Sequence, residues 1–183
     1  MQTNEAESII SQWPDESREA AELVMREYGV PDEGTASLLR WFDAGPWKRV
    51  TASRTFFQHA FPAPHIDSVE SVIDYHVPVD KVGQVTAFDG SVVVERTAGE
   101  VMARCHDVQA NYLALNLMHD IVSGERDVES ARDYYAEEFL AARRGDPTPY
   151  MDGLTFEPEQ RAADPDSRVL SDQQLQKAVE QGS

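Results

Sequence analysis

Residues 91–105 read SVVVERTAGEVMARC, and this stretch decides the fold class. Val92, Val93 and Val94 form a strand signal, because β-branched side chains fit a pleated, half-buried surface. Ala98-Gly99 supplies a two-residue turn, and Glu100–Cys105 returns as the partner strand. Strands joined this closely run antiparallel, since a parallel pair needs a crossover of a dozen or more residues. Glu95, Arg96, Glu100 and Arg104 are spaced to pair across the hairpin.

Moving outward toward the C-terminus, His106–Val122 carries the strongest helical pattern. Val108, Tyr112, Leu115 and Val122 form one stripe, and Leu113, Leu117, Met118 and Ile121 widen it almost all round, as in a buried helix. Ser123-Gly124 ends it. Asp127 caps a last helix to about Arg144, with cationic Arg143 and Arg144 in the final turn and Gly145 after it. Toward the N-terminus, Pro78 opens a short helix to about Phe88, and Val69–Val77 alternates as a half-buried strand. Asp43-Ala44-Gly45-Pro46 is turn chemistry, which favours a hairpin for its flanks. SLLRWF (37–42) also has helical propensity, so residues 35–42 stay open between strand and helix. Pro14–Tyr28 reads as a helix stopped by Gly29 and Pro31.

The order predicts an α+β domain: an antiparallel sheet of about four to five strands packed by helices, with a central helix near 106–122. Residues 1–13 are expected to be a flexible N-terminal segment and 14–145 a single domain. Residues 146–183 are expected to be an extended, acidic, proline-containing C-terminal tail. Within it, only Tyr150, Met151, Leu154 and Phe156 look capable of packing back.

Composition narrows the function. The 183 residues carry a formal charge of −17, which makes nucleic acid an improbable partner and disfavours anionic membranes. No apolar run approaches the roughly 20 residues of a membrane span. The single cysteine, Cys105, excludes an intrachain disulfide and reads as a buried, inert thiol. The opening MQTNEAESII lacks the basic and apolar regions of a secretory signal, so a cytoplasmic location is expected. Lysines number 3 against 13 arginines, a balance that suits either a halophilic adaptation or a GC-rich genome. Residues 1–34 and 152–183 together hold −11 of the −17, so the expected folded body is only mildly acidic.

No phosphate-binding glycine loop, zinc-protease helix, paired-cysteine or serine-elbow motif is present. Three groups of residues carry chemistry instead. His59, His65 and Asp67 surround a proline-bracketed loop and offer the nitrogen and oxygen donors a divalent metal takes. The competing reading is a surface loop with solvated histidines. Asn111, Asn116 and His119 stud the central helix, where the asparagines would face a ligand and His119 would serve as a catalytic acid or base. The alternative is that the asparagines simply satisfy nearby backbone. Arg40, Lys48 and Arg49 would form a basic patch for a small anionic ligand, unless carboxylates elsewhere pair with them. Trp41 and Trp47 near the turn suggest a surface for a protein partner or homo-oligomer. The expected function is a small-ligand or protein-binding module; the alternative is a metal-dependent or histidine-based enzyme acting on a small molecule.

Overall fold

In a computed structural model of the chain, residues 1–159 and 164–182 are described. The sheet is six-stranded and antiparallel: β1 (Glu33–Gly34), β2 (Leu38–Ala44), β3 (Trp47–His59), β4 (His65–Asp74), β5 (Val92–Glu95) and β6 (Glu100–Cys105). Its order is β1-β2-β3-β4-β6-β5. The helices among the described residues are α1 (Thr3–Ile10), α2 (Asp15–Tyr28), α3 (Val79–Phe88), α4 (Val108–Ser123), α5 (Val128–Arg144) and α6 (Asp172–Gln181). The architecture is the α+β class expected. The extra strand is β1, only two residues long, too short to leave a periodic signal.

Residues 38–44 are strand, so the turn outweighs the helical propensity of SLLRWF. Asp43 and Gly45 take left-handed backbone, with φ of 49° and 61°, which glycine adopts freely and aspartate tolerates. The register then sorts the side chains. Trp41 lies opposite Val50, and Leu39 opposite Ala52; Val50 lies opposite Ser71, and Ala52 opposite Val69. Ser71 faces Ala103, and Ile73 faces Val101. All of these are buried, on the face that α2 and α4 cover. The opposite face carries Arg40, Arg49, Glu70, Glu100 and Arg104. Each buried Val or Leu contributes about 1.5–3 kcal/mol.

The helix boundaries follow local chemistry. The Asp107 carboxylate accepts the Ala110 amide at the start of α4, and Asp127 accepts that of Ser130 at the start of α5. Gly145 closes α5 in left-handed backbone. The middle of α4 is buried nearly all round, with Leu113, Leu115, Leu117, Met118 and Ile121 sealed from solvent.

Four expectations are corrected. Residues 1–13 are not a flexible lead-in: α1 packs on the core through Ala6 and Ile10, one helical turn apart, followed by buried Trp13. The Trp13 indole N–H donates to the Ala36 carbonyl at 3.0 Å, a partner that hydropathy patterns cannot reveal. Trp41 and Trp47 do not form an exposed surface. Both are buried, their N–H groups donating to the Gly29 carbonyl and the Tyr28 hydroxyl.

The segment 146–159 is not an extended tail but a strap laid over α4 and α5. Asn116 donates to the carbonyls of Tyr150 and Gly153 and accepts the Thr155 amide. Glu138 accepts the amides of Tyr150 and Met151, while Tyr150, Met151, Leu154 and Phe156 pack against the core. The hairpin charges do not pair with one another either. Glu100 takes Lys48 and Arg49, Arg96 takes Asp166, and Arg104 stacks over Phe57. Farther on, α6 opens with a capping box at Ser171 and buries none of its residues.

Candidate metal centre

His59 and His65 are strand residues, not loop residues. They end β3 and begin β4, and the register sets them directly opposite one another. Their rings are 5.0 Å apart between centroids. Asp67 lies two residues along β4, so the strand repeat returns its side chain to the face of His65. The three residues bring one ligand atom each to within 4.8 Å of one another. Asp67 is 3% exposed.

The hydrogens constrain the site. His65 Nδ1 lies 2.8 Å from the Ala63 carbonyl oxygen, which can only accept, so Nδ1 carries a proton. Nε2 of the same ring is 3.0 Å from Asp67 Oδ1. In a neutral ring Nε2 is a bare lone pair facing a carboxylate oxygen. Such a contact needs a proton or a cation between its partners. Accordingly, Asp67 holds the His65 imidazole above its ordinary proton affinity, against the opposing pull of burial.

His59 Nδ1 stands 3.2 Å from Asp67 Oδ2, and its Nε2 stands 3.5 Å from Asp89 Oδ1. None of these short approaches completes the hydrogen bonding. Among the described residues, His59 Nδ1, Asp67 Oδ1 and Asp89 Oδ2 are buried without a hydrogen-bond partner. Buried polar atoms left unpaired cost about 1–3 kcal/mol each, so His59 Nδ1 and Asp67 Oδ1, both within the cluster of donors, mark a place where a further atom belongs.

The cluster opens through His65 into a cleft of about 580 Å³, within the size range of small-molecule sites. Its walls come from the start of α4 at His106 and Asp107, from α5 at Tyr135, Phe139 and Arg143, and from the strap at Met151. Phe61 packs on Phe88 and Tyr135 beneath this region, and Arg132 stacks over Phe61. Cys105 and Tyr135 are both buried, which pushes the thiol and the phenol well above their ordinary pKa values. Neither ionises near neutral pH.

The other expected site residues lie elsewhere. Asn111 donates to the Val69 carbonyl and the Ser71 hydroxyl inside the core, and Asn116 clamps the strap. Both NH2 groups are spent on structure, while Asn111 Oδ1 is buried with no hydrogen-bond partner among the described residues. His119 is not in the cleft lining. Its Nδ1 is 2.7 Å from the Tyr75 hydroxyl, and its ring stacks on Phe156 at 4.2 Å.

Arg40, Lys48 and Arg49 form no open anion patch. Arg40 donates to Thr51, Lys48 bridges Asp74 and Glu100, and Arg49 binds Glu100. Burial tends to raise the Glu100 carboxyl, but the two cations outweigh it and hold the pKa below the usual value. A lowered carboxylate pKa gives stability that is present above the unfolded pKa and lost as pH falls through the folded one. Glu100→Gln is therefore expected to cost about 1–2 kcal/mol at pH 7, with the difference from wild type vanishing in acid. Urea melts at a series of pH values check this; a cost that persists in acid contradicts it.

Asp89, Tyr135 and Arg143 were not singled out by the sequence. Asp89-Gly90 reads only as a helix-ending turn, and Tyr135 only as a core position. No family model, curated protein or solved structure matches the chain.

Proposed function

We propose that the protein is a metal-dependent enzyme acting on a small molecule, with a divalent ion held by His59, His65 and Asp67. The observation that supports this reading most is the set of three mutually close donors, two of them with unpaired buried atoms and the third, His65, lining a cleft. The tautomers agree with it. His65 gives its Nδ1 proton to Ala63 and keeps Nε2 for the ion, as metal-ligating histidines commonly do. Two imidazoles and one carboxylate suit zinc or ferrous iron, and three protein ligands leave coordination positions for solvent or substrate. The bound ion would act as a Lewis acid on a polar group of that substrate. The cleft walls, apolar at Phe139 and Met151 and charged at Arg143, would hold the molecule against it.

A second reading has its own observation. Asp67 favours protonation of His65, so the cleft floor can instead be an imidazolium and the protein a small-ligand-binding module without metal. Elemental analysis of protein purified without chelator separates the two. The metal reading expects about one transition-metal ion per chain, and zinc should raise the melting temperature of chelator-treated protein. No retained metal and no thermal shift with zinc or manganese sinks it.

A further inference from the structure

Asp89 sits on the far side of His59 from Asp67 and takes no part in the ligand set. It follows α3 and caps the turn into β5: its Oδ1 accepts the amide and the hydroxyl of Ser91, both at 2.8 Å. That would be an ordinary turn, except that the carboxylate is 2% exposed, lies 3.5 Å from His59 Nε2, and leaves Oδ2 buried without a partner. A turn on the surface achieves the same backbone geometry without enclosing a charge.

We infer that Asp89 is a positioning residue for the metal centre: it accepts the Nε2 proton of His59 and so commits Nδ1, the nitrogen beside Asp67, to the ion. The inference rests on the metal reading above. An imidazole has two nitrogens and, when neutral, one proton. With the proton on Nδ1, His59 would point a donor at the ion and could not ligate. With the proton on Nε2, Nδ1 presents its lone pair among the other donors. Asp67 flanks Nδ1 and Asp89 flanks Nε2; a cation among the donors excludes the proton from Nδ1, and the Asp89 carboxylate stands where it can accept that proton on Nε2. His65 is fixed in the complementary way, by a carbonyl on Nδ1. The two rings therefore ligate through different nitrogens, each set by the group behind it.

The test uses cobalt(II), whose visible absorption reports its ligand field, on the full chain and three variants. Asp89→Asn keeps an oxygen for Ser91 but removes the charge. It should fold, bind cobalt about ten- to a hundredfold more weakly, and shift the absorption bands. Ser91→Ala loosens the turn while leaving the carboxylate beside His59, and should bind within about threefold of wild type with unchanged bands. Asp89→Ala should weaken binding at least as much as Asp89→Asn. Wild-type affinity and spectrum in Asp89→Asn overturn the inference while leaving the metal centre standing. Equal losses in Asp89→Asn and Ser91→Ala, with no change in the bands, assign Asp89 to the turn alone and also overturn it. Wild-type protein that binds no cobalt overturns the metal reading and this inference together.

Discussion

Asp67→Asn should lose metal affinity by at least about a hundredfold, while the metal-free variant melts at or above the wild-type temperature at pH 8. The two halves of this result come from one cause. Asp67 is enclosed, near two imidazoles, with Oδ1 unpaired. Without an ion it is a buried charge with incomplete compensation, and a neutral isostere removes the cost of enclosing that charge. With an ion it is the one anionic ligand of the three, so its loss exceeds the tenfold to hundredfold cost of disturbing a group behind a ligand. A purely structural His-Asp-His network gives the opposite pattern: the variant loses several kcal/mol and zinc has no effect on either protein. Paired thermal melts with and without zinc read both halves, and a destabilised metal-free Asp67→Asn contradicts the account.

Asn116→Ala should be the most damaging polar substitution in the core, at about 3 kcal/mol. Its amide is fully buried and serves three strap residues, so truncation removes the partner of two carbonyls and of the Thr155 amide. Each stranded group costs about 1–3 kcal/mol, less whatever the strap recovers by lifting into solvent. Lifting around residues 153–155 is the expected escape, because the other anchors lie to either side or on partly buried side chains: Glu138 at Tyr150 and Met151, the Tyr150 hydroxyl on Asp120, the Glu159 contacts near Asp74 and His76, and the packing of Tyr150, Met151, Leu154 and Phe156. The variant should therefore be cleaved within the strap by a protease that leaves wild type intact. It should also bind cleft ligands more weakly, since Met151 forms part of the wall. Asn111→Ala, which strands only the Val69 carbonyl and the Ser71 hydroxyl, should cost about 1–2 kcal/mol and leave the strap resistant. Equal proteolysis of both variants contradicts the role given to Asn116.

These two residues show what the chain discloses before folding and what it does not. The hairpins at Gly45 and Gly99, the all-round apolar face of α4 and the Asp127 cap are local chemistry, legible within a few residues. So were the donor types of His59, His65 and Asp67. Their union was not legible, because it depends on β4 beginning at His65 instead of near Val69. That start is set by pairing with β3 across an irregular register between Ala52 and Phe57, which no local periodicity encodes. Asn116 was visible as a polar residue in an apolar helix, and Tyr150, Met151, Leu154 and Phe156 were visible as residues able to pack back, as they do. What joins them, the hydrogen bonds from Asn116 to carbonyls and an amide more than thirty residues ahead, is invisible to a hydropathy pattern. Asp89 was hidden in the same way: its turn is local and its histidine is thirty residues behind.

The most direct test of the metal centre is anomalous diffraction at the zinc edge from a crystal grown with equimolar zinc. One strong peak is expected between β3 and β4, about 2.0–2.2 Å from His59 Nδ1, His65 Nε2 and a carboxylate oxygen of Asp67, with the remaining positions turned toward the cleft. Density that shows these side chains in direct contact with no peak between them, or zinc only at surface carboxylates, would contradict it.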